Sequence, residues 1–439
     1  VVLCLFENTS AQIKDDCGYQ LLFKDASLAN ASLKERIDSS YYATLHFSQS
    51  KKKSQYYQTL YNIPVIFHII LNKEQLSILG GEDGVKNRIE KQLTSLNADY
   101  SGLNVDSSQI PAPFKPLFAN TIVQFGLAHT SPNGFATPGY EIKIIEKQGV
   151  NYSSATGSGL GFSDAKYINS DGLQAWDPTV YLNIWVINPL LNGNATNITG
   201  MTLPFDYSLN DGQIPLSEVG IILHYGAMGI KETAIDFYLP GRSKGRTLTH
   251  EIGHFFSLRH PWGDDNGLCP DNGGHDDGID DTPSQSDAVF GCPSFPKYDL
   301  CTSDNNGVLY SNFMNYSDDN CRSMFTVGQA GFIGQKLTFG NQLFGLTQHP
   351  ELLSYPTFSK EYDVTVSPNP AFDKIAISFS VVPKDLERIQ IWDAQGRVLI
   401  SESIPKGYYV EDVTKLSKGW YIVLLKFING VRTYRFCKL

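Results

Sequence analysis

The chain has 439 residues, more than one hydrophobic core usually supports, so two or three domains are expected. Its formal net charge of -10 argues against a nucleic-acid or anionic-membrane partner, because a phosphate surface needs a basic face. No apolar run is long enough to span a bilayer.

Val1-Val2-Leu3-Cys4-Leu5-Phe6, followed by polar Asn8-Thr9-Ser10 and Ala11-Gln12, reads as the end of a signal peptide over residues 1–12. Residues 13–55 are polar and charged, contain Cys17-Gly18 and close on Lys51-Lys52-Lys53, as a detachable pro-segment would. The character changes after that. Residues 63–70, apolar apart from His68, are expected to be a buried strand, and Val85, Ile89, Leu93 and Leu96 recur near helical spacing toward Tyr100. Two further strands are expected over 121–127 and 181–187, which gives an α/β (α+β) layer with a twisted sheet between about 56 and 348.

The run His250-Glu251-Ile252-Gly253-His254, in a helix beginning near Gly245, carries most of the chemistry. Positions i and i+4 share a helix face, so His250 and His254 can offer two imidazole nitrogens to one Zn²⁺, with Glu251 beside the open coordination position. His260, six residues further on, reaches the same metal only if the chain leaves the helix sharply near Ser257. Three histidines leave the fourth position for water, the arrangement of a hydrolytic site with Glu251 as general base.

Residues 261–310 are rich in Gly, Asp, Asn and Pro, and no regular structure is expected there. Cys269, Cys292, Cys301 and Cys321 fall in or beside this stretch and suggest two disulfides and an oxidising compartment. Cys17 is then left over. A thiolate is a soft zinc ligand and Gly18 lets the backbone run close, so Cys17 is expected to ligate zinc in a latent form and displace the catalytic water, with Asp15 or Asp16 as alternative carriers. A helix follows at 326–337 and a linker at 349–361. Residues 362–439 show short strands separated by turns, as in a small β-sandwich.

These features resemble the metzincins, and among them the pappalysin family of secreted metallopeptidases, over roughly residues 60–337. The resemblance assigns His250, His254 and His260 to zinc and Glu251 to the base. It places Met314, in Ser311-Asn312-Phe313-Met314-Asn315-Tyr316, beneath the metal, and Tyr316 near the tetrahedral intermediate. Cys269–Cys301 and Cys292–Cys321 are the implied pairings, although four cysteines allow three. Asp277 and Thr282 are the implied calcium ligands within an acidic stretch that includes Asp264, Asp265, Asp271, Asp276, Asp280 and Asp281. Thr202 and Leu203 fall on the edge strand along which a substrate would lie. Asp319 matches an acidic pocket floor in relatives that cleave before basic residues, which implies a preference for Arg, then Lys, after the scissile bond, and self-processing around Lys51–Lys53. One departure is local. The family has Gly where this chain has Ser257, and a left-handed Ser costs about 1–2 kcal/mol.

Val366-Ser367-Pro368-Asn369-Pro370 and Leu416-Ser417-Lys418-Gly419-Trp420-Tyr421 resemble pieces of the sorting domain of bacterial type IX secretion. That resemblance implies the type IX secretion machinery as a partner and a secreted or cell-surface location. The expected function is a zinc endopeptidase made as a latent zymogen and acting on protein or peptide substrates. Two other classes are a zinc-stabilised binding or adhesion protein without chemistry and a zinc hydrolase acting on non-peptides. An intact Glu251 weighs against the former, since a structural site needs no base.

Overall fold

A computed structural model describes residues 17–29, 31–50, 60–154, 160–208, 214–263, 269–270, 276–302, 306–338, 340–354, 364–379, 386–393, 397–403, 408–427 and 430–439. The expected signal remnant, Asp15, Asp16, Lys51–Lys53, Asp264, Asp265 and Asp271 lie outside the described residues.

The described part of the expected pro-segment is helical, which its polar composition had not suggested. Helices α1 (Tyr19–Ala29) and α2 (Ala31–Ser50) bury Leu22, Ile37, Tyr41 and Leu45 in the same core as the sheet that follows. Strand β1 (Tyr61–Leu71) is buried from Ile63 onward, as a strand covered on both faces must be. Each fully buried Ile or Phe there contributes roughly 1.5–3 kcal/mol. Helix α3 (Lys73–Ile78) begins on Asn72, and α4 (Gly81–Tyr100) buries Val85, Ile89, Leu96 and Tyr100 at helical spacing.

Strands β2 (Val123–Ala128), β3 (Tyr140–Ile144) and β5 (Leu182–Ile187) all pair parallel to β1. Between them in sequence, β4 (Val150–Asn151) forms a small side sheet with β6 (Pro189–Leu191) and β7 (Asn194–Ala195). The main sheet ends on β9 (Gly220–His224), parallel to β5, and β8 (Gly200–Leu203), antiparallel to β9 at the edge. Helix α5 (Arg246–Phe255) packs on β8 and β9, and α6 (Val327–Lys336) opens with a Thr326/Gln329 capping box and packs against α2.

The expected linker starts later than the sequence suggested. Leu353–Ser354, as β10, pairs antiparallel with β2, so the sheet keeps the chain until there, and the remainder of the expected linker, 355–361, lies outside the described residues.

The C-terminal region has a three-stranded sheet, β11 (Val364–Ser367), β12 (Lys374–Phe379) and β15 (Tyr408–Asp412). A four-stranded sheet joins β13 (Leu386–Asp393), β14 (Val398–Ser403), β16 (Gly419–Phe427) and β17 (Gly430–Lys438). Ile375 and Ile377 of the first share a core with Ile389, Ile391, Val423, Leu425 and Phe436 of the second, which is a β-sandwich. No helix among the described residues is long and apolar enough to cross a membrane.

Candidate metal and catalytic centre

Helix α5 starts on Gly245 and buries all ten of its residues, so His250 and His254 stand on its inward face one turn apart. The helix then closes in a Schellman turn: Ser257 N–H donates to His254 O at 2.8 Å and Leu258 N–H to Gly253 O at 2.9 Å. Ser257 takes φ 68°, the left-handed conformation expected of the family's glycine. The reversed chain delivers His260.

The three Nε2 atoms converge, with separations of 3.1 Å (His250–His254), 3.0 Å (His254–His260) and 3.3 Å (His250–His260). A tetrahedral zinc site with ordinary Zn–N bonds has edges of about 3.3 Å, so the donor set fits the metal. His250 Nδ1 faces Phe313 O and His254 Nδ1 faces Leu258 O, both at 2.8 Å, which fixes the Nδ1–H tautomer and leaves each Nε2 lone pair inward. Burial first, then mutual repulsion, pushes His250 and His254 well below the usual imidazole range, so both are neutral donors.

Cys17 joins them. Its Sγ and the ligand nitrogens of the three histidines all lie within 4.8 Å of one another, and Cys17 is buried. Gly18 N–H donates to Gly200 O at 2.8 Å, which lays this part of the chain along the edge strand β8. A side chain at Gly18 would press on Met201, whose Cγ would lie 3.0 Å from an added Cβ. The Tyr19 ring stacks on His254 at 4.2 Å, a contact with no signature in the sequence.

Glu251 is buried beside the histidines. Burial raises its carboxyl to about 7 against the opposing hydrogen bonds from Thr202 and Cys17. Thr202 Oγ1 lies 2.7 Å from Glu251 Oε2 and 2.8 Å from Glu251 O. Thr202 and Leu203 lie on the edge strand β8, as expected, with both side chains buried because α5 packs across it, and the Thr202 side chain meets Glu251.

Met314 lies against the helix at Gly253, where a Cβ would come within 2.3 Å of Met314 Sδ. Tyr316 is buried with its ring 5.7 Å from His250 and 4.9 Å from His260, and Trp262 stacks on His260 at 4.3 Å. The disulfides Cys269–Cys301 and Cys292–Cys321 are both formed.

Asp319 is buried, and the chain itself engages both its oxygens. Oδ1 accepts from Arg322 at 2.7 Å, and Oδ2 from Lys244 N–H at 2.7 Å and Arg246 N–H at 3.3 Å. At the start of α5 the Arg246 guanidinium is gripped by Asp106 (2.6 Å) and Asp99 (3.2 Å), a buried ion cluster absent from the sequence reading. Away from the histidines, Asp277 accepts from Thr282 at 2.5 Å and from Ile279 N–H at 3.0 Å, and its Oδ2 has no hydrogen-bond partner among the described residues. Burial lifts its carboxyl to about 8.

The α/β layer, the metal-ready histidines and the adjacent carboxylate define a metallopeptidase-type domain, and comparison with known proteins agrees. Residues 166–337 match the family described as pregnancy-associated plasma protein-A, and residues 365–438 match the secretion system C-terminal sorting domain. Mature mirolysin of Tannerella forsythia, solved with a cleaved peptide, is 30% identical, with 68% of this chain and all of that chain covered and a TM-score of 0.57. A promirolysin variant of the same organism is 28% identical, covers 78% of this chain and 100% of its own, and gives a TM-score of 0.64. An extracellular metalloprotease of Arthroderma benhamiae is 42% identical over 93 residues, 21% of this chain and 31% of that protein. The chain thus spans about a third of the length of the curated relatives it matches. It belongs to the pappalysin family of metalloproteases. Its sorting domain and its extracellular relatives mark it as secreted.

Proposed function

We propose that the chain is a zinc-dependent endopeptidase held latent by its own pro-segment, residues 13–55. The observation that carries this is the meeting of Cys17 with His250, His254, His260 and Glu251 in one buried cluster. His250, His254 and His260 would hold the metal through Nε2, and Cys17 Sγ would take the position that water needs. Bound zinc supplies Lewis acidity toward a peptide carbonyl and a water of near-neutral pKa. Glu251 takes the proton of the attacking water at its carboxylate and returns it to the leaving amine nitrogen. Thr202 holds that carboxylate in place. Tyr316, beside His250 and His260, is assigned to the oxyanion. Backbone groups of β8 would pair with an extended substrate; the engagement of Gly200 O by Gly18 supports this.

After the scissile bond we assign arginine, then lysine, with Asp319 as the acidic anchor. Because Asp319 already pairs with Arg322, an incoming guanidinium would join an existing cluster. Self-processing at Lys51–Lys53 would follow from the same preference. We assign calcium to Asp277 and Thr282 with neighbouring carbonyls; the buried oxygen left over on Asp277 and its raised pKa are what a hard cation would relieve.

Casein cleavage tests the proposal. The full chain should be slow, Cys17→Ala fast, and Cys17→Ala with Glu251→Ala slower by at least about a hundredfold while retaining zinc. A Cys17→Ala protein as inert as its parent would sink the thiol latency, and an active Glu251→Ala protein would sink the role of the base.

A further inference from the structure

Ser257 stands in the left-handed position of the Schellman turn that ends α5, where glycine is usual. Its hydroxyl donates to Asp206 Oδ2 at 2.6 Å, and the same oxygen accepts from Lys336 Nζ at 2.7 Å. All three side chains are buried, so the hydroxyl meets a charged acceptor in a place where water competes little. Asp206 lies three residues beyond the edge strand β8, and Lys336 closes α6.

The turn matters twice to the metal. Leu258 O, fixed by the Leu258 N–H to Gly253 O bond, accepts from His254 Nδ1. Two residues later the same backbone delivers His260, whose Nε2 must land 3.0 Å from that of His254. A turn that relaxed to an ordinary helical conformation at Ser257 would disorient one ligand and misplace the other.

We propose that Asp206 and Lys336 are positioning residues for the zinc site, acting through the Ser257 hydroxyl. The hydrogen bond to the Asp206–Lys336 pair holds Ser257 left-handed and so does with side chains what the family's glycine does with its backbone. Asp206 also ties the end of the substrate-side edge strand to the turn that carries the third ligand. The proposal rests on the zinc reading above. Zinc affinity of the unaltered chain, measured alongside, separates failure of that reading from failure of this one.

The test is a cycle of variants in the full chain, read by zinc affinity in chelator competition and by thermal unfolding of the zinc-loaded protein. Asp206→Asn should weaken zinc about tenfold, as loss of an outer-shell partner does. In a Ser257→Gly background, where the turn needs no anchor, the same Asp206→Asn change should weaken zinc less than about threefold. Ser257→Ala should lose affinity as Asp206→Asn does, and Ser257→Gly should restore it. An equal fold-loss from Asp206→Asn in both backgrounds would overturn the proposal, as would equal zinc affinity in Ser257→Ala and Ser257→Gly. Because the comparison between backgrounds uses only Asp206→Asn and Ser257→Gly, it stands even if Ser257→Ala does not fold.

Discussion

Arg259 Nη2 lies 2.5 Å from Asp38 Oδ1, which joins the residue before the third histidine to helix α2. The guanidinium also sits 4.0 Å from the Tyr41 ring centroid. Residues 17–50 therefore meet the histidine motif through Cys17 beside the three histidines, Tyr19 on His254 and Asp38 on the flank. Burial alone would raise the Asp38 carboxyl, but its bonds to Lys34 and Arg259 bring it below the usual range.

Asp38→Asn should loosen this flank by roughly 1 kcal/mol, the scale of a partly exposed ion pair. Limited trypsin digestion should then nick α2 several-fold faster, because cleavage follows the opened population when opening is rapid. An unchanged rate would remove Asp38 from the account of latency.

Gly253→Ala should destabilise the protein, although Ala in a helix interior ordinarily stabilises relative to Gly. The overlap with Met314 Sδ outweighs propensity by about 1–3 kcal/mol. Thermal melts should show a loss of several degrees, and Met314→Ala should recover part of it. A Gly253→Ala protein more stable than the parent would show that the close approach is not real.

Calcium removal should lower thermal stability. Chelation with EGTA is expected to cost several degrees, restored by calcium and not by magnesium, which dehydrates reluctantly and wants a tighter octahedron. Asp277→Asn should abolish the response. A melting temperature indifferent to EGTA would remove calcium from the proposal.

Asp106 provides a pH signature. Burial would raise it, but Arg246, Asn104 and Lys244 hold its carboxyl far below the usual range. A depressed carboxylate contributes stability above its unfolded value near 4, and that contribution is lost as pH falls toward the folded value. Asp106→Asn should cost about 3 kcal/mol at pH 7, the scale of breaking a buried pair. The deficit should shrink steadily below pH 4 in melts, and a deficit constant with pH would contradict this assignment.

The zinc helix was legible because helical periodicity alone puts His250 and His254 on one face, and the turn at Ser257 could be inferred from where His260 had to arrive. Segments rich in β-branched and aromatic residues likewise announced β1, β2 and β5. What escaped notice depends on contacts between distant residues. The Thr202 hydroxyl meets Glu251 across 49 positions, and Lys336 meets Asp206 across 130. No local spacing encodes either. Asp319 is a further case: its place in a motif could be read, but not the bonds that Arg322, Lys244 and Arg246 make to its oxygens. Helices α1 and α2 were missed because their polar faces hide a scattered set of buried residues, among them Leu22, Leu33, Ile37, Tyr41 and Leu45.

The bonds Cys269–Cys301 and Cys292–Cys321 fasten the irregular stretch leading to Met314 and Tyr316. Such links do not persist in a reducing cytosol. Inside the cell that makes it, the chain therefore lacks the links that fasten this stretch. Departure completes it: the oxidising surroundings that close these bonds begin where the producer's own cytosolic proteins are out of reach.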